Sequence, residues 1–255
     1  MCIEGGYSIM NYQIINEQAL MIYLEERISE DIFKQMQQVV QYIHNLNVEG
    51  ITEIVPSYRA ILINIDIEKM TPQSLVEELK LDELDASDFA GQDIETKTVY
   101  IPVLYGGEAG PDIDEVASTN NLDTEEVIDI HSSQPYLIYM LGFMPGFPFL
   151  GGLDERLHTP RRSEPRTRLP EGSVGIANQQ TGLYPSESPG GWQIIGRTPI
   201  KVFDLSREPM CLYQPGDYIK FYAISEEQYD QIIDEQESDS FDMRKWVSKD
   251  NEYSN

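Results

Sequence analysis

The sequence predicts an α+β protein in two parts, an α/β domain followed by a β-rich domain. Three observations predict it. Apolar runs between residues 19 and 104 follow the order strand, helix, strand, strand, helix, strand, which is the split βαβ, or ferredoxin-like, arrangement. Residues 82–95 are acidic and weakly patterned, which marks a linker. Residues 142–216 hold 11 of the 18 glycines and 10 of the 15 prolines, so short strands and turns make up that stretch, as in a sandwich or barrel.

Taken in order, residues 1–10 (MCIEGGYSIM) have no periodicity and read as an N-terminal extension, with Met10 an alternative start to Met1. Residues 19–24 are a short apolar strand. Ser29 is an N-cap with Glu30 and Asp31 in the first turn, where acidic side chains suit the helix dipole. The helix that follows places Ile32, Met36, Val39, Ile43 and Leu46 on one face. Residues 51–55 and 58–65 are strands joined near Pro56, and Ile61, Ile63 and Ile65 share one face of the second. Thr71 caps a helix that starts at Pro72, where the missing N–H does no harm. Residues 99–104 close the series as a strand. Two short helices follow, one beginning at Gly110-Pro111 with Asp112 and Asp114 near its start. The other carries a capping box of Asp123 and Glu126. Strands are expected at 173–177, 192–195, 200–203, 210–213 and 218–224. Domain boundaries fall at 11–95, linker included, and 96–225. Residues 226–255 form an acidic C-terminal tail, partly helical at its beginning and solvated at its end.

The formal net charge of −26 argues against nucleic acid and anionic membrane as partners, because both need a positive footprint. The charge is uneven. Residues 151–207 carry +2 and the remainder −28. Two cysteines, Cys2 and Cys211, give no disulfide framework and no zinc set, which suits a reduced interior. The most apolar stretch, 136–150, is too short to span a bilayer and holds Pro145 and Pro148. A cytoplasmic protein is expected.

Most catalytic signatures are missing. No phosphate-binding loop of the G-x-x-x-x-G-K-[ST] type and no G-x-S-x-G elbow occurs, and His44, His131 and His158 have no metal-ligand spacing. No catalytic nucleophile or base is visible. Three segments carry chemistry instead. FMPGFPFLGG sets Phe143, Pro145, Phe147 and Phe149 in a run that neither helix nor sheet can absorb, as an apolar loop under a barrel or as a rigid wall for a partner. PRRSEPRTRLP gathers Arg161, Arg162, Arg166 and Arg168 within eight residues, either for internal ion pairs or for a carboxylate or phosphate. TGLYPSESPGGWQIIGRTP adds Tyr184, the pair Gly190 and Gly191, Trp192 and Arg197, as plain turn chemistry or as a tight loop over an aromatic floor.

These segments resemble the family called allophanate hydrolase subunit 1, also known as the Kip inhibitor family or the family of 5-oxoprolinase B subunits. The carrying motifs are LGFMPGF at 141–147, PRR at 160–162, PR at 165–166 and GSVGIA at 172–177. TGLYP at 181–185, SPGGW at 188–192 and IGRTP at 195–199 complete the set. Upstream, YGGE at 105–108 and GPD at 110–112 also fit, with Ala109 standing where the family usually has an aromatic. The resemblance runs from about residue 11 to 225. It implies a small α/β domain followed by a cyclophilin-like β-barrel. It also implies a place in a bacterial, ATP-using 5-oxoprolinase. The partners would be a C subunit homologous to allophanate hydrolase subunit 2 and an A subunit of the LamB/YcsF type. It implies no ATP site on any particular residue here. Opening a stable lactam builds charge that a cation must meet. The expected site is a barrel-mouth pocket lined by Arg161, Arg166, Arg197, Tyr184 and Trp192, with Arg162, Gly190 and Gly191 beside it. Phe143, Pro145, Phe147 and Phe149 are candidate partner contacts. A module that inhibits a sensor histidine kinase is the alternative, as is a component of urea or allophanate metabolism associated with a carboxylase. Prolyl isomerase chemistry rests on barrel analogy alone.

Overall fold

The computed structural model describes residues 11–26, 29–84, 96–236 and 242–248. The chain forms two compact units, residues 1–95 and 96–255. The expectations for the N-terminal extension, for Cys2 and for most of the acidic linker lie outside the described residues.

In the first unit β1 (Asn11–Asn16), β2 (Ala19–Tyr23), β3 (Ile51–Pro56) and β4 (Ala60–Ile65) form an antiparallel sheet in the order β1-β2-β4-β3. Helix α1 (Glu30–Leu46) packs on β3 and β4. Its buried face is Ile32, Phe33, Met36, Val39, Val40 and Ile43, while Leu46, expected on that face, is exposed. Across it lie Leu20, Ile22, Ile61, Ile63 and Ile65, all buried by the period of two that strand geometry imposes. Ser29 holds the N-cap position in an extended conformation, yet its side chain makes no cap hydrogen bond. Helix α2 (Pro72–Glu78) starts as expected. Thr71 accepts from the Ser74 N–H at 3.2 Å, and the Ser74 hydroxyl oxygen accepts from the Thr71 N–H at 3.0 Å.

The ferredoxin-like order needs a correction. The strand expected to close it is β5 (Thr98–Tyr105), and β5 belongs to the second unit, so the first unit's sheet is closed instead by β1. Periodicity identifies a strand but not its partner. The hydrogen-bonded neighbours of β5 come from residues far down the chain.

The second unit is a seven-stranded sheet. Its remaining strands are β6 (Tyr136–Leu141), β7 (Pro148–Leu150), β9 (Ser173–Ala177), β10 (Gln180–Leu183), β12 (Gln193–Arg197) and β13 (Tyr218–Ala223). The order is β10-β9-β12-β5-β13-β6-β7. The end strands β10 and β7 lie close together, so the sheet curls into a nearly closed barrel. Only β5 and β13 run parallel. Val99, Ile101 and Val103 alternate into the core beside Ile219 and Phe221. Helices α3 (Ile113–Asn120) and α4 (Thr124–Ser132) pack on β12 and β13, and α4 has the expected Asp123–Glu126 capping box. A separate ribbon pairs β8 (Arg166–Leu169) with β11 (Ser188–Gly190). Residues 200–203 and 210–213, expected as strands, meet only at a single bridge between Phe203 and Cys211.

The end of the chain also departs from expectation. Beyond α5 (Glu226–Gln236), helix α6 (Arg244–Val247) packs against β5 and places Trp246 fully inside the core. The Trp246 indole donates to Glu235 Oε2 at 3.1 Å, and its carbonyl accepts from the Tyr222 hydroxyl at 2.9 Å. Described residues 242–248 are therefore part of the barrel unit and not a solvated tail. Acidic composition hid a single aromatic anchor.

Candidate binding site: an arginine loop pinned to Asp112

The site is organised by one carboxylate. Gly110 precedes it, and a Cβ there would collide with the Ile195 carbonyl, so only glycine lets the start of α3 lie this close to β12. The Asp112 N–H donates to the Ile194 carbonyl at 2.9 Å, and the Asp112 carboxylate accepts from the Ile194 N–H at 2.7 Å. Asp112 is the N-cap residue of α3, but its side chain makes no cap hydrogen bond. It turns to the arginine loop instead. Arg166 donates to both carboxylate oxygens at 2.7 Å, and Arg162 adds a third charged donor at 2.7 Å.

The Asp112 side chain is 4% exposed, against 26% for Arg166 and 33% for Arg162. A carboxylate this buried requires partners, and two guanidinium groups supply them with one positive charge in excess. The Asp112 hydrogen bond raises the Arg166 pKa above its ordinary value.

The loop is fastened at further points. The Arg162 N–H donates to the Gly191 carbonyl at 2.8 Å, and the Gln193 amide donates to the Pro160 carbonyl at 3.1 Å. The Asn120 amide donates to the Thr159 hydroxyl at 3.0 Å, and Thr159 bridges Asn178. Between this loop and α3 runs a cleft of about 550 Å³. One wall carries Pro111, Asp112, Asp114, Glu115 and Thr119, the other Thr159, Pro160, Arg161, Arg162 and Ser163, with Gln193 completing it. Arg161 is exposed and makes no hydrogen bond or ion pair among the described residues. Two buried polar atoms of the lining residues also lack partners there, Arg162 Nε and Gln193 Oε1.

The residues expected to share one pocket are thus sorted into different environments. Arg161 and Arg162 line the cleft. Arg166 is engaged by Asp112. The Arg197 Nε donates to the Glu171 carbonyl at 2.8 Å, and Arg168 pairs with Glu187 at 2.6 Å. Tyr184 and Trp192 are buried in an aromatic cluster around Phe147, whose ring meets both edge-on with centroids 5.3 and 5.7 Å away. Burial pushes the Tyr184 pKa up to about 12, with the positive charge of Arg161 acting in the opposite direction. Gly190 is where the ribbon closes over this cluster, since a Cβ there would meet the Tyr184 hydroxyl at 2.7 Å. Gly191 lies beside Pro165 and lends its carbonyl to Arg162. Of the apolar loop, Phe147 is buried and Phe149 half-buried, Pro145 is exposed, and Phe143 is 68% exposed at φ +68°.

Gln193 and Thr159 carry no distinguishing signal in the sequence, and Asp112 reads there only as a helix-start residue. The one available signal was Gly110-Pro111-Asp112, where the carboxylate follows a glycine that must approach another strand. Among the described residues no group of three or more His, Cys, Asp or Glu side chains is placed to hold a metal ion. No helix among them is long and apolar enough to cross a membrane.

Residues 10–213 match the family described as "Carboxyltransferase domain, subdomain C and D". The chain is 43% identical over 230 residues to the 5-oxoprolinase B subunit of Bacillus subtilis, covering 86% of this chain and 96% of that one. It is 38% identical to the 5-oxoprolinase B subunit of Escherichia coli O157:H7 over 82% of this chain and 93% of that one. Among solved structures, TTHA0988 superposes with a TM-score of 0.70 at 33% identity, over 82% of this chain and 40% of that one. The chain belongs to the family of 5-oxoprolinase B subunits.

Proposed function

We propose that this chain is a subunit of an ATP-dependent 5-oxoprolinase, which opens 5-oxoproline to glutamate together with partner subunits. End-to-end similarity to two 5-oxoprolinase B subunits carries the reading. The partners are a C subunit, homologous to allophanate hydrolase subunit 2, and a LamB/YcsF-type A subunit. The chain is expected to work only within the complex, since the residues lining its cleft include no Cys, His or Lys. Its contribution is recognition and electrostatics. Arg161 and Arg162 present positive charge to an anionic ligand, and Asp112 with Arg166 hold that loop in place.

ATP is used by the complex, but the cleft of this chain does not suit a triphosphate. It has no lysine and no glycine-rich phosphate loop, and Asp114 and Glu115 line it. No step is assigned to ATP on these residues. The test is co-expression with the partner homologues, followed by co-purification and a glutamate-release assay. Recovery of an active complex supports the reading. Failure of this chain to join an active complex of the others overturns it.

A second reading has its own observation. Phe143 is a large apolar side chain held out to solvent in a left-handed backbone conformation that non-glycine residues seldom adopt. Such a side chain suits a docking contact, with a partner in the hydrolase complex or with the helical bundle of a histidine kinase. Pull-down with kinases at micromolar concentration separates the two.

A further inference from the structure

The sheet edges of this chain differ in how they are protected. An edge strand offers unpaired N–H and C=O groups, and folded proteins guard such edges with charge, proline, bulges or closure. At one edge of the first sheet, β3 carries Glu53 and Pro56 and a register shift between Ile51 and Glu53. In the second unit β7 and β10 come together, so the two ends of the seven-stranded sheet cover each other. Of the ribbon, β8 holds Arg166 and Arg168, and β11 holds Pro189. β1 is the exception. It pairs with β2 on one side and with no other strand among the described residues. Its sequence, NYQIIN, has no charge and no proline. Its irregularity falls at the turn, where Ile15 has no cross-strand partner. Ile14 and Ile15 are 36% and 45% exposed, and Gln13 is exposed beside them. Isoleucine suits a pleated, half-buried surface, which an added strand would complete here.

We propose that β1 pairs antiparallel with β1 of a second copy of this chain across a twofold axis, joining two four-stranded sheets into one. Charge selects this occupant. The chain carries −26, so two copies repel wherever their carboxylates meet, and an uncharged strand is a surface on which they can approach. The same lack of charge leaves a basic strand from another protein little to recognise. The carboxylate bonded to β1, that of Asp82, already accepts from the Tyr12 hydroxyl at 2.8 Å. A twofold contact is isologous, because each copy supplies the same donors and acceptors. The outer edges of the joined sheet are then two guarded β3 strands, so assembly along this direction stops at two copies. The proposal does not rest on the 5-oxoprolinase reading, which the glutamate-release assay tests separately.

The test is sedimentation velocity on the full chain over a concentration series, at low and at high salt. A dimer at micromolar concentration is expected. It is expected to tighten as salt rises, because screening weakens the repulsion between two acidic copies. Gln13→Lys combined with Ile15→Lys sets like charges against each other across the seam, and the dissociation constant is expected to rise about tenfold or more. Both side chains are exposed, so the unfolding midpoint is expected to stay close to that of the wild type. A chain that stays monomeric at both salt concentrations overturns the proposal. A dimer that persists unchanged in the double variant overturns β1 as its seam. A dimer that weakens as salt rises overturns it too, since a neutral seam has no ion pairs to screen. A monomeric wild type whose co-purification with the A and C subunit homologues is lost in the double variant gives the edge to a partner's strand instead, which also overturns pairing between copies.

Discussion

At the scale of single residues the second unit depends on two buried polar centres. The first is Asp112, whose carboxylate accepts four hydrogen bonds of 2.7 Å. Asp112→Ala leaves two arginines and a backbone N–H unpaired, and a loss of about 3–5 kcal/mol is expected by denaturant unfolding. The second is His131, fully buried between the Tyr105 hydroxyl and the Thr181 hydroxyl, each 2.7 Å away, and stacked on Phe221. Burial lowers its pKa to about 3. The unfolded chain takes up this proton below about pH 6.5, and the folded one does not until about pH 3. Stability from this group is therefore complete above pH 6.5 and declines as pH falls toward 3. His131→Gln is expected to flatten the pH dependence of unfolding over that window, and an unchanged slope would contradict the assignment. Neither centre was legible in the sequence. One aspartate near a helix start and one histidine near a helix end resemble ordinary residues, and only tertiary closure brings their partners from 26 to 82 positions away.

At the scale of elements, what was legible followed local rules. The caps at Thr71 and Asp123 formed because their signals lie within three residues. The strands 173–177 and 218–223 emerged where apolar runs were bounded by turn residues. The ribbon of β8 and β11 was not foreseen, because Arg166 and Arg168 disguise a strand whose role is to hold charge. The destination of β5 was misread because pairing is a long-range property. Helix α6 shows the reverse case, a short element fixed by tertiary burial with little local signal. Trp246→Ala empties a fully buried site, and a loss of about 3–5 kcal/mol is expected in chemical denaturation. Phe143→Ser, at 68% exposure, is expected to change stability by less than about 0.5 kcal/mol. Its effect belongs in a co-purification assay, where weaker recovery of a partner identifies a docking contact.

At the scale of the whole molecule the charge partition acquires a physical sense. The chain carries −26, yet the segment 151–207 is +2. Much of that excess is the arginine loop, and the structure divides its charges into two kinds. Arg162 and Arg166 neutralise a buried carboxylate, and Arg161 lies exposed at the cleft. Composition identified the region, but it did not distinguish the arginine left exposed from those tied to Asp112. The most direct measurement is the release of glutamate from 5-oxoproline by the reconstituted complex, with ATP, in the presence and absence of this chain. Turnover is predicted only when this chain is present. Equal turnover in its absence would contradict its role as a working part of the enzyme.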